Sequence, residues 1–147
     1  MNLLILDAGH SFSTAGKRNE KENFYEWEFN NDMQYKIKAR CEELGIKVFL
    51  TNPNPATVSD IALSTRANLA NDYWIKNNKC KAIFISIHAN AFSNSNTRGT
   101  ETYITVKFSD LTPLSFEAGS NFFITDTILS FKTLAKFFEV VEALLAT

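Results

Sequence analysis

Glycine and proline are scarce in this chain, 5 and 3 among 147 residues, which excludes collagen-like repeats and proline- or glycine-rich low-complexity architectures. Cysteine is scarcer still. Cys41 and Cys80 form no Cys-x-x-Cys pair, so buried reduced thiols are expected and a disulfide framework is not. No apolar run approaches the length of a membrane span, and the opening MNLLILDAGH has no basic residue ahead of its short apolar stretch. A signal peptide is therefore not expected, and neither is a membrane partner. A formal net charge of -1 gives no general reason to expect nucleic acid as a partner. What is present is a globular composition, 45% hydrophobic and 21% charged, with 13 phenylalanines. Phe122, Phe123, Phe131, Phe137 and Phe138 fall late in the chain and are expected to supply much of an aromatic core. The length suits one domain spanning residues 1–147, able to bury roughly 68–70% of its unfolded surface.

The most informative stretch is Ala82 to Ala91, AIFISIHANA. Its first half is a short apolar run rich in β-branched and aromatic residues, the pattern of a strand covered on both faces. Its second half turns polar at once, with His88 and Asn90 separated by small alanines. A buried strand that ends in a histidine delivers it to the edge where open α/β sheets bind ligands. Taken alone, such a histidine is more often a hydrogen-bonded structural residue than a ligand or catalyst.

The rest of the chain adds to it. Asn2 to Asp7 is a second apolar run, ended by Ala8-Gly9-His10, and thus a second strand that ends in a histidine. A polar loop follows over Ser11 to Glu22, and from Glu26 a helical spacing begins, with Phe29, Met33, Ile37, Cys41 and Leu44 on one face and Gly45 as its stop. Ile46 to Leu50 is the next strand, closed by Asn52-Pro53-Asn54-Pro55. A second helix runs from Ile61 or Ser64 to Lys76, with Leu63, Ala67, Ala70 and Trp74 on its apolar face. After the central strand, Thr100 to Val106 alternates as a fourth strand expected beside it, and a last helix is expected over about Thr127 to Leu145.

This order predicts an α/β fold: a single three-layer domain with a mostly parallel twisted sheet covered by helices. All strand C-terminal ends then share one edge. His10, His88 and Glu26, at the start of the first helix, converge there, and two imidazoles with one carboxylate suit a catalytic zinc with an open fourth position. The helix-borne His-Glu-x-x-His signature of other zinc peptidases is absent from the sequence.

The motifs also carry a family resemblance. Leu6-Asp7-Ala8-Gly9-His10, Glu26-Trp27-Glu28-Phe29-Asn30, Arg66 with Ala70-Asn71, Phe84 to Ala91, and Gly99-Thr100-Glu101-Thr102-Tyr103 occur in the order of the zinc-dependent N-acetylmuramoyl-L-alanine amidases of the amidase-3 type. Those proteins are bacterial cell-wall hydrolases and phage endolysins. The resemblance covers residues 1–104, and residues 105–147 look shortened and divergent. It selects Glu26 over Glu22 or Glu28 as the carboxylate ligand. It implies one Zn2+ per chain held by His10, Glu26 and His88, with peptidoglycan as the partner. The implied reaction is cleavage of the amide between N-acetylmuramic acid and L-alanine by zinc-activated water.

Within Pro113 to Gly119, Glu117 stands where the family's catalytic glutamate would be, although Ser120-Asn121-Phe122 departs from the pattern that follows it. Arg66 is either substrate-binding or, more in keeping with its place at a helix start, a structural ion pair. Asn90 either touches substrate or holds the loop after His88. The resemblance further implies a monomer made in the cytoplasm that acts on the wall after release. An impaired homologue that keeps zinc and binds wall fragments, or serves as a scaffold, is the alternative.

Overall fold

The computed structural model describes residues 2–57, 59–89, 99–103 and 123–127. Strand β1 (Asn2–Ala8) lies inside the sheet, with a neighbour on each side, and Leu3, Leu4, Ile5 and Leu6 are all fully buried. Strand alternation sends these side chains to opposite faces. Leu4 and Leu6 pack with Met33, Ile37 and Cys41 of α1 (Glu26–Glu43), with Val48 of β4 (Lys47–Leu50), and with Ile85 and Ile87 of β5 (Lys81–His88). Leu3 and Ile5 pack on the other side with Ala70, Tyr73 and Trp74 of α2 (Leu63–Lys76) and with Phe84. Two helices thus cover opposite faces of one sheet, as the sequence pattern predicts. Each β1 side chain so buried contributes about 1.5–3 kcal/mol relative to exposure.

Helix α1 stops for a backbone reason. Gly45 takes φ +76, its N–H donates to the Glu42 carbonyl at 3.0 Å, and the Ile46 N–H donates to the Cys41 carbonyl at 2.9 Å. This paired closure uses the left-handed residue that glycine tolerates best, and it turns the chain straight into β4. In α2 the buried stripe begins a turn later than the sequence pattern suggests: Leu63 is 55% exposed, whereas Arg66, Ala67 and Ala70 are buried.

The sheet order is β4-β1-β5-β7-β6, where β6 is Gly99–Tyr103 and β7 is Phe123–Thr127. The pairs β1/β4, β1/β5 and β5/β7 are parallel, and β6 runs antiparallel to β7. Two expectations are corrected here. The strand after Gly99 does not lie beside the central strand, because β7 pairs with β5 along Ser86–His88 and takes that place. Thr127 belongs to a strand rather than opening the last helix. The segment Phe-Ile-Thr-Asp-Thr is a short run with three β-branched residues, and β-pairing with the exposed edge of β5 decides its state over any helical periodicity further on. The remainder of the expected helix lies outside the described residues. A short ribbon of β2 (Arg18–Asn19) and β3 (Phe24–Tyr25) occupies the loop before α1.

From β1 the chain passes through α1 to β4 on one side, whereas β5 pairs with β1 on the other. The C-terminal ends of β1 and β5 therefore flank the point where the strand order reverses, which is where open α/β sheets leave a crevice.

Candidate metal centre

The parallel ladder between β1 and β5 continues past Ala8, since the Gly9 N–H donates to the Ile87 carbonyl at 2.9 Å. That extension carries His10 to the side of His88. The close approach depends on Gly9: a Cβ there would fall 2.2 Å from His88 Cε1, far inside any van der Waals contact. His10 itself lies in the left-handed region at φ 65, a conformation that costs a non-glycine residue about 1–3 kcal/mol and persists where its surroundings over-determine it.

The surroundings do so through buried amides. Asn52 Nδ2 donates to the carbonyls of Ala8 at 2.9 Å and His10 at 3.0 Å, and Asn30 Nδ2 donates to the carbonyl of Gly9 at 2.9 Å. Three consecutive carbonyls of the histidine turn are thereby held. Gln34 Nε2 in turn donates to the Asn52 carbonyl at 2.9 Å. Glu26, Asn30 and Gln34 recur every four residues along α1 and are all buried, so one helix stripe supplies both a cluster carboxylate and the supports of the turn.

Glu26 Oε1 lies 3.2 Å from His88 Nδ1 and 3.4 Å from His10 Nε2, and accepts the Ala89 N–H at 3.1 Å. The two imidazole rings meet edge to face with centroids 4.9 Å apart. One ligand atom from each of His10, Glu26 and His88 lies within 4.8 Å of the others. Burial pushes the His10 pKa down, and His88 and Lys17 add to this against the upward pull of Glu26 and Asp60, so His10 titrates below the ordinary imidazole value. Burial would raise the Glu26 carboxyl, but the hydrogen bond from His88 and the charges of His10, His88 and Lys17 outweigh it and hold it below the usual range. Neutral imidazole and ionised carboxylate are the forms that bind a metal. A two-nitrogen, one-oxygen donor set gathered so closely fits zinc.

Beneath the cluster, Asp7 accepts hydrogen bonds from Thr51 Oγ1 at 2.5 Å, Ser86 Oγ at 2.7 Å and Arg66 Nη1 at 3.0 Å. Arg66 is 4% exposed and also donates through Nε to the Ile61 carbonyl at 2.9 Å. This is the structural ion pair of the two roles open to Arg66 in the sequence. Glu117 and Asn90 lie outside the described residues. In the sequence Asn30 enters only as the motif asparagine four residues after Glu26, and Gln34 and Asn52 are assigned no role. Asn52 sits in a proline-flanked turn whose composition signals only a break, and the signal within reach was the spacing Glu26-Asn30-Gln34, three polar residues on the face that should be buried.

A family model described as N-acetylmuramoyl-L-alanine amidase matches residues 4–135. No match is found among curated proteins. Among solved structures, the catalytic domain of CwlV, an N-acetylmuramoyl-L-alanine amidase from Bacillus (Paenibacillus) polymyxa var. colistinus, is 30% identical with a TM-score of 0.59, over 72% of this chain and 55% of that one. An N-acetylmuramoyl-L-alanine amidase from Clostridium difficile 630 is 29% identical with a TM-score of 0.58, over 74% of this chain and 54% of that one. The CwlD amidase from Clostridioides difficile, solved in complex with the GerS lipoprotein, is 29% identical with a TM-score of 0.51, over 69% and 55% of the two chains. This chain thus spans about half the length of the solved relatives it matches.

Proposed function

This chain belongs to the N-acetylmuramoyl-L-alanine amidase family, and from that premise we propose that it is a zinc-dependent peptidoglycan hydrolase cleaving the amide between N-acetylmuramic acid and L-alanine. The observation that carries this reading is the gathering of His10, Glu26 and His88 within 4.8 Å at the C-terminal ends of β1 and β5. These three residues would hold one Zn2+ per chain. When bound, the ion supplies Lewis acidity that polarises an amide carbonyl and activates a water for attack. The residues of the chain supply the rest. The buried amides of Asn30 and Asn52 fix the turn that presents His10, so little reorganisation is needed on metal binding. Glu117 is assigned the general base that takes a proton from the attacking water and returns it to the leaving L-alanine amine, in keeping with its place in the family pattern.

The test is digestion of purified peptidoglycan with the zinc-loaded chain, assaying new amino termini and new reducing sugar ends separately. An amidase releases amino termini alone. New reducing ends would identify a glycosidase instead, and zinc uptake without either product would favour a zinc-binding homologue that no longer hydrolyses the wall.

A further inference from the structure

We propose that Asp60 is the positioning residue of the metal centre: the side-chain carboxylate lies beside His10 Nδ1, favours the tautomer that carries its proton there, and so leaves Nε2 as the donor to the metal. The inference rests on the reading of His10, Glu26 and His88 as a metal site.

The two nitrogens of the His10 ring face two different carboxylates. Nε2 faces Glu26 Oε1 at 3.4 Å, toward the cluster, and Nδ1 faces Asp60 Oδ2 at 3.8 Å, away from it. At 3.8 Å the second contact is electrostatic rather than a hydrogen bond, and it acts through the field that the carboxylate lays on the Nδ1 proton. A proton held on Nδ1 leaves the lone pair on Nε2 and raises its basicity as a ligand, the part that carboxylates behind metal-binding histidines play elsewhere. The imidazole is partly buried, with 16% of its side chain exposed, so this field is only partly screened by water.

Asp60 is itself held in place. Oδ2 accepts the Thr14 hydroxyl at 2.7 Å, and the Asp60 N–H donates to Ser13 Oγ at 3.2 Å. On the other side Arg66 Nη2 lies 3.5 Å from Oδ1, while Nη1 of the same guanidinium binds the buried Asp7. The carboxylate therefore stands between the histidine loop and a guanidinium anchored in the core, and Asp7, Arg66, Asp60 and His10 form one continuous line of alternating charge and dipole. The common product of these contacts is a carboxylate fixed against the outer nitrogen of His10.

The experiment uses the full chain and begins with zinc binding by the parent, measured by chelator competition. Asp60→Asn keeps the shape and removes the charge, so zinc affinity should fall by about 10–100-fold, with Asp60→Glu recovering part of it. Thermal unfolding of the metal-free proteins reports whether the substitution has disturbed the fold. The second measurement needs no variant at the site. The chain has 2 histidines, so imidazole nitrogen NMR of the zinc-loaded parent resolves them directly, and His10 should be metallated through Nε2 with its proton on Nδ1. A role confined to loop stability would move the unfolding midpoint without setting that tautomer. Zinc affinity in Asp60→Asn within about threefold of the parent, against the loss expected of an outer partner, would overturn the proposal. Metallation of His10 through Nδ1 would do the same. A parent that takes up no zinc at all would remove the metal reading itself, and this is seen before any variant is compared.

Discussion

Gly9 and His88 are packed so closely that one methyl group on Gly9 would stand 2.2 Å from His88 Cε1 and 2.5 Å from Nδ1. Backbone and imidazole ring occupy the space that any other residue's Cβ would need. Gly9→Ala is therefore expected to displace the His88 ring and to lower zinc affinity at least as much as loss of a supporting hydrogen bond does, about 10–100-fold. Chelator competition checks this, with circular dichroism showing that the sheet persists.

The carbonyls of Ala8 and His10 both depend on the Asn52 side chain. Asn52→Ala would remove the donor from the buried Ala8 carbonyl and the part-buried His10 carbonyl and is expected to cost about 1–3 kcal/mol of stability, together with a loss of zinc affinity as His10 leaves its left-handed conformation. Urea unfolding with and without zinc separates the two effects. A variant as stable as the parent would show that these bonds do not hold the turn.

Much of this arrangement is legible in the sequence, and the reason is local. Strands β1 and β5 are apolar runs that end abruptly in polar residues, so the strand-helix order places His10 and His88 at one sheet edge, and the helix start brings Glu26 there, with the family motif choosing it over Glu22 and Glu28. The clamps are not legible in that way. Asn52 acts on a turn more than forty positions away in sequence, and a proline-flanked asparagine carries no mark of its distant partner. Arg66 could be read either as a ligand for substrate or as an ion pair, and only the folded chain brings it to Asp7. Strand β7 is not legible in the sequence because a stretch of five residues is too short for periodicity to separate it from the helical pattern expected next to it, and pairing with β5 decides the matter.

The pH dependence has a definite sign. Burial lowers the His10 pKa below the ordinary imidazole value, so in the metal-free chain the unfolded state binds the proton first as pH falls. Between the two pKa values the unfolded state carries more protons, and stability must decrease with falling pH. The loss begins near the unfolded value of about 6.5 and is complete once pH passes below the lowered folded value. Urea midpoints of the chelator-treated chain, measured between about pH 7.5 and about pH 5, should therefore fall toward acid around that imidazole value. His10→Gln should flatten the dependence. Midpoints that rise on acidification would contradict the buried, neutral state of His10.

Glu117 separates a hydrolase from a zinc-binding relic. Glu117→Gln keeps the shape of the side chain and removes its proton acceptor, so release of amino termini from peptidoglycan should fall by about 10²–10⁴-fold, with zinc content unchanged. Equal activity in parent and variant at matched zinc content would remove Glu117 from the mechanism.

The account as a whole stands on His10, Glu26 and His88 forming one metal site, and metal analysis of the purified chain tests that most directly. One zinc per chain is predicted for the parent, with loss of stoichiometric zinc in each of His10→Ala, Glu26→Ala and His88→Ala, because three protein ligands are the usual complement of a catalytic site and two hold the ion too weakly to survive purification. Stoichiometric zinc retained in the His88→Ala protein would contradict the account.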